Sequence, residues 1–130
     1  MTHADAKNHI TGITTVAVSV TDQARALDFY AGQLGFETRR DMPFGPSRWI
    51  EVAPAGAATT IALFSTPGGP AAGIDTGIRL TSADVDADHA DLRARGVDVD
   101  SEIMRLGSGV PPMFSFRDPD GNRLVIVGQE

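Results

Sequence analysis

One hydrophobic rhythm runs twice along this chain. From Ile13 to Val20 the positions alternate, with Val16, Val18 and Val20 on one face and Thr15, Ala17 and Ser19 on the other. That is the period-2 pattern of a half-buried strand. Thr21 or Asp22 then offers a side-chain oxygen to the free amides of a helix start. Leu27, Tyr30, Ala31 and Leu34 recur at i, i+3, i+4 and i+7 as an apolar helix face, and Gly35 supplies the stop. The order then returns. Ile78 and Leu80 share a strand face opposite Gly77 and Arg79, Asp84 offers the cap, Val85, His89 and Leu92 make the stripe, and Gly96 ends it. The same elements in the same order at nearly the same spacing predict a duplicated unit.

Short alternating runs follow each helix. Phe36 to Phe44, Arg48 to Val52 and Ala58 to Phe64 read as strands in the first copy, and Val97 to Leu106, Met113 to Phe116 and Arg123 to Val127 in the second. Gly45-Pro46, Pro54-Ala55-Gly56, Gly107-Ser108-Gly109 and Asp118-Pro119-Asp120-Gly121-Asn122 separate them as turns. The expected fold class is α+β, a βαβββ module twice over with eight strands and two main helices. A Gly/Pro-rich run divides one domain into module one, about 11–66, a linker, about 67–73, and module two, about 74–128. Both helices are expected on one face of a mixed sheet, leaving the other face free to curve around a cavity.

Composition removes several function classes. A net charge of −6 without a basic stripe argues against nucleic acid. No apolar run reaches membrane-spanning length, and the polar amino terminus lacks a signal-peptide core, so no membrane partner is expected and the cytoplasm is the expected location. With no cysteine there is no disulfide, thiolate nucleophile or thiolate metal site.

Candidate chemistry is sparse. Trp49 and Glu51 share the strand face opposite Ile50 and Val52, which aims an indole and an acid at a cavity or a dimer contact. Arg79 shares the inward face of Gly77 and needs a partner there, either Glu51 or a ligand's carboxylate. Arg48 and Arg117 read as solvated near strand ends, and Arg39-Arg40 as a solvated edge pair. His3 and His9 fall in or beside the polar lead-in, while His89 is expected to pack against the sheet. Asp84 caps its helix, Asp86 complements the helix dipole, and Asp88 and Asp91 face water. The Asp118 to Asn122 run reads as a turn and not a calcium loop.

The strand-to-helix run VAVSVTDQARALDFY with its following LGF, the helix end LRARGV and the closing FSFRDPDGNRLVIV resemble the vicinal oxygen chelate superfamily over roughly residues 12–128. That superfamily includes glyoxalase I, extradiol dioxygenases, fosfomycin-resistance enzymes and bleomycin-resistance proteins. The resemblance implies two βαβββ modules forming an incomplete barrel around a cavity, helices on the outer face, and a homodimer whose sites draw on both chains. In the superfamily's metalloenzymes, ligands stand at inward positions on the first and fourth strands of each module. Those positions carry over to Thr15, Ala62, Gly77 and Val125, none of which supplies a usual metal ligand.

The expectation is therefore a metal-independent protein without a cofactor, resembling the bleomycin-resistance branch and sequestering a planar or aromatic small molecule in a dimeric cavity. Small inward residues, Thr15, Ala17, Ala62 and Gly77, leave room. Trp49, Phe64 and Phe114 are candidates to stack on the ligand, Glu51 and Arg79 to orient it, and Val125 to line the wall. Two other readings stay open. One is a glyoxalase- or dioxygenase-like lyase or isomerase, whose metal-free form needs Glu51 as a base with its pKa raised by burial. The other is a partner or regulatory domain with a collapsed cavity.

Overall fold

The computed structural model describes residues 8–65, 68–69 and 71–129. His3, Thr66 and two linker residues, Pro67 and Pro70, lie outside them. In chain order the elements are β1 (Thr15–Ser19), α1 (Gln23–Leu27, continued by a π-helical turn over Asp28–Gln33), β2 (Glu37–Phe44), β3 (Ser47–Ala53), β4 (Thr60–Phe64), β5 (Asp75–Ser82), α2 (Val85–Ala94), β6 (Asp98–Val99), β7 (Met113–Arg117) and β8 (Arg123–Gly128). The modules form two four-stranded sheets, β1-β4-β3-β2 and β5-β8-β7-β6. In each, the first and fourth strands of the module run parallel and the remaining neighbours antiparallel. The expected single mixed sheet is thus two sheets, with β1 and β5 both edge strands that do not pair with each other.

The caps form as their chemistry requires. Asp22 accepts from the Arg25 amide at 3.0 Å and Asp84 from the Ala87 amide at 3.0 Å, each satisfying an orphan donor of its helix. Gly35 and Gly96 end their helices at φ of 75° and 83°. The first helix departs from its predicted stripe. Its second half widens to i→i+5 bonding, with the Leu34 amide donating to the Phe29 carbonyl at 3.0 Å. Phe29 and Tyr30, neighbours in sequence, are both buried as a result, while Leu27, Ala31 and Leu34 are only half-buried. The strand expected over Val97 to Leu106 is also cut short. Only Asp98–Val99 pairs, followed by one isolated bridge from Met104 to Met113.

One core serves both modules. Val18, Val20, Phe29, Tyr30, Ile50, Val52 and Leu63 of the first merge with Leu92, Phe114, Phe116 and Leu124 of the second. Phe29 packs against Phe116 with ring centroids 6.1 Å apart. A buried polar clasp reinforces the join. Tyr30 Oη donates to Asp118 Oδ2 at 2.9 Å, and Asn122 Nδ2 donates to the Ser19 carbonyl at 2.9 Å and to Asp118 Oδ2 at 3.0 Å. Asn122 Oδ1 accepts from the amides of Gly73 and Ile74, so all of its hydrogen-bonding capacity is used. Burial and the adjacent Asp118 carboxylate push the Tyr30 phenol far above its ordinary value, so it stays a neutral donor. The neighbouring Asp120 binds the Thr21 hydroxyl at 2.5 Å and Arg25 at 3.1 Å. The closing turn of module two is therefore fastened to the β1–α1 junction of module one. With the core placed on the helix side, the alternate strand residues point away from it.

Candidate ligand-binding faces

On the first sheet the residues pointing away from the core register as rows. Ala17 stands beside Ala62, Ala62 beside Glu51, and Glu51 beside Arg40; Thr15 stands beside Thr60, and Trp49 beside Met42. Glu51 is held on several sides. Trp49 Nε1–H donates to Oε2 at 2.6 Å, Thr60 Oγ1 donates to Oε1 at 2.8 Å, and Arg40 lies 3.9 Å away. The Thr15 hydroxyl extends the chain through a hydrogen bond with Thr60. The Trp49 and Thr60 hydrogen bonds, aided by Arg40, outweigh burial and hold the Glu51 carboxyl below its ordinary value. The requirement for a general base with a raised pKa is not met. Glu51 is an ionised acceptor that fixes the edge of the indole.

Around that indole sits an aromatic cluster. Phe44 meets Trp49 at 5.6 Å and 63°, and Phe64 meets it at 6.2 Å and 73°, both edge-to-face arrangements. Phe44 is 57 % exposed and Met42 47 %, so the cluster's outer side has no cover among the described residues. Ala62 is buried beneath its neighbours, keeping the floor of the row low.

On the second sheet the corresponding face carries Gly77, Arg79, Val125, Met113 and Ser115. Gly77 adopts φ of 74° at an irregularity in the β5–β8 register between Asp75 and Arg79, a conformation only glycine takes without strain. Arg79 does not meet Glu51, whose cation is Arg40 from the adjacent strand of the same sheet. It is exposed, and Nη1 reaches the Met113 sulfur at 3.9 Å. Among the described residues it has no carboxylate within ion-pair distance. The desolvation that would have forced an internal partner is absent. Phe114 stands on the opposite side from Trp49. Strand parity puts it with Phe116 in the core, where it meets His89 edge-on at 4.8 Å. Val125 is buried on the same face as Arg79 and Ser115.

A cleft of about 660 Å³ separates the two edge strands, lined by Val16, Ala17, Ile61, Gly77, Ile78 and Arg79 among others. Ala17, Gly77 and Arg79 are thus brought together at its walls. Thr15, Trp49, Glu51, Ala62 and Phe64 form the separate face of the first sheet.

The basic residues are more engaged than their sequence positions suggested. Arg117, expected in solvent, is half-buried between Asp98 at 3.0 Å and Asp100 at 2.8 Å. Burial pushes Asp100 up, but its bonds to Arg117 and the Ser115 amide leave it below its ordinary value. Arg48 pairs with Asp41, and Arg39 pairs with Glu37 while donating to the carbonyls of Ala57 and Pro54. His89 is half-buried, its Nε2 2.7 Å from the Asp100 carbonyl, and His9 is exposed. Asp88 accepts from Ser82, and Asp91 pairs with Arg95 along the helix. Sequence reasoning passed over Met42, Phe44, Ser115 and Met113, and read Arg40 only as half of a solvated edge pair. Strand alternation from Trp49 and Val125 gave a signal for each, but only through cross-strand register.

Among the described residues no three His, Cys, Asp or Glu side chains gather as a metal-binding group, and no helix is long and apolar enough to cross a membrane. The family model for the Glyoxalase/Bleomycin resistance protein/Dioxygenase superfamily matches residues 9–126. The chain belongs to that superfamily. It is similar to YetH of Bacillus subtilis (strain 168), 32 % identical over 118 residues that cover 88 % of this chain and 95 % of the relative. Among solved structures it resembles TnmS3, an antibiotic binding protein from Streptomyces sp. CB03234, with a TM-score of 0.80, 36 % identity and coverage of 93 % and 98 % of the two chains. A superfamily member from Sphaerobacter thermophilus DSM 20745 is similar with a TM-score of 0.85, 35 % identity and coverage of 92 % and 98 %. The two-module α+β architecture without a closed barrel is the fold of this superfamily.

Proposed function

We propose that this protein is a metal-independent cytoplasmic homodimer that sequesters a planar or aromatic small molecule. The observation that carries this reading is the uncovered Phe44–Trp49–Phe64 cluster, with its indole edge pinned by Glu51. A preorganised aromatic surface costs little side-chain entropy when a flat ligand stacks on it. Thr15, Ala17 and Ala62 keep the face low beside it, and Gly77, Arg79 and Val125 contribute from the second sheet of the partner protomer. The exposed Ile13 and the unpaired edges of β1 and β5 favour closure by a second copy. Similarity to a protein described as antibiotic binding supports the same class of ligand.

The test uses the single tryptophan. Its indole N–H gives one resonance in a ¹H–¹⁵N spectrum, so every shift of that peak is a shift at Trp49. Titration with 2-naphthamide should move it saturably, and Trp49→Leu should remove calorimetric binding. A Trp49 resonance indifferent to 2-naphthamide, acridine and other flat probes would overturn the reading. Analytical ultracentrifugation tests the homodimer, which a purely monomeric protein at micromolar concentration refutes.

A further inference from the structure

The duplicated modules place corresponding rows of residues on their two faces, and the rows differ in charge. In the first sheet the row reads Ala17, Ala62, Glu51, Arg40. In the second it reads Arg79, Val125, Ser115. Asp100 continues it, since its amide donates to the Ser115 carbonyl at 3.0 Å and its Oδ2 accepts from the Ser115 amide at 2.9 Å. Where module one carries the acid Glu51, module two carries a hydroxyl. Where module one carries Ala17, module two carries a guanidinium.

Ser115 is 2 % exposed, yet none of the hydrogen bonds among the described residues uses its hydroxyl. It lines a hollow of about 80 Å³ together with Arg79, Met104, Met113, Arg123 and Val125. Asp100 also lines the hollow, and both it and the nearby Asp75 are already paired with arginines. Asp100 is bound by Arg117 at 2.8 Å, and Asp75 by Arg123 at 3.0 Å. Among the described residues Arg79 has only the weakly accepting Met113 sulfur. The hollow therefore presents an uncommitted cation and an uncommitted hydroxyl beside apolar walls. A water in the liquid fills about 30 Å³, so the space suits a group the size of a carboxylate.

We propose that Arg79 and Ser115 form a carboxylate subsite, which makes the ligand an aromatic acid with its ring on the Trp49 cluster of one protomer and its anionic end in this hollow of the other. The ring placement rests on the function proposed above; the anion subsite does not. Arg79 supplies the charge-assisted hydrogen bonds, Ser115 Oγ a further donor, and Val125 with the methionine side chains covers the stem.

Acetate alone is the first probe. It should shift the Ser115 amide and the Arg79 Nε–H saturably in ¹H–¹⁵N spectra, whereas acetamide should not. Arg79→Met should weaken acetate binding about tenfold or more, and Ser115→Ala several-fold, with the spectra otherwise folded. Equal shifts with acetamide, or parental acetate affinity in Arg79→Met, would overturn the subsite. The second probe pair is 2-naphthoate and 2-naphthamide. The acid should bind about tenfold more tightly, and Arg79→Met should erase that preference. If both move the Trp49 indole equally, the subsite fails and the aromatic reading stands. If acetate binds at Arg79 while neither naphthyl probe touches Trp49, the subsite stands and the aromatic reading fails.

Discussion

Replacing Asn122 with alanine tests whether the polar clasp holds the modules together. Its side chain is fully buried and makes four hydrogen bonds, donating to the Ser19 carbonyl and to Asp118 and accepting from the amides of Gly73 and Ile74. The truncation removes all four and strips backbone groups of β1 and of the chain leading into β5. A net hydrogen bond is worth about 1 kcal/mol, and a buried group left without a partner costs about 1–3 kcal/mol. Some of the orphaned groups regain water, which brings the expected loss to about 3–4 kcal/mol. An unfolding entropy of about 2.1 cal/mol/K per residue, taken over the 130 residues, converts this into a melting temperature lower by roughly 11–15 °C. Thermal unfolding followed by far-ultraviolet circular dichroism at fixed protein concentration reads the shift. Asp86→Ala, which removes an exposed pair with Arg105, is the control and should change stability by less than about 0.5 kcal/mol. A loss below about 1 kcal/mol for Asn122→Ala would refute the clasp and leave the apolar core as the whole of the join.

Three further outcomes are expected. Tyr30→Phe removes one buried bond to the Asp118 carboxylate and should cost about 1.5–3 kcal/mol in urea denaturation, without altering the aromatic packing with Phe29. Glu51 and Asp100 both have depressed folded-state pKa values, so their contribution to stability is full above the ordinary carboxylate range and is lost as pH falls through the lower folded values. The urea midpoint should therefore hold from pH 7 to about pH 5 and fall below, less steeply in Glu51→Gln; an identical slope in the variant would show that Glu51 contributes nothing. Phe44→Ala should weaken 2-naphthamide binding about tenfold by calorimetry and leave the melting temperature within a few degrees, since Phe44 is mostly exposed.

Much of this molecule is written locally. Alternation in Ile13 to Val20 and again around Ile78 and Leu80 selects strands and their buried faces, and carboxylates at Asp22 and Asp84 start the helices through bonds to amides three residues on. Two glycines at corresponding places stop those helices. These devices act within one turn or one strand, so the duplicated βαβββ order and the side of the sheet taken by Trp49 and Glu51 follow from the chain alone. The tertiary structure decided what reaches across it. The partner of Glu51 is Arg40 because β2 and β3 register with a shift between Thr38 and Arg40, and no local pattern announces a bulge of that kind. Phe29 joins Tyr30 in the core where the helix widens, and there it packs against Phe116, an arrangement that a periodicity of about 3.6 residues cannot express. The Asp118 to Asn122 turn reads as a turn in any context, and its role as a clasp appears only when Tyr30, 88 positions away, is brought against it. Ser115 lines a hollow with Arg79 because β5 pairs with β8, more than 40 residues on, and so stands two strands from β7.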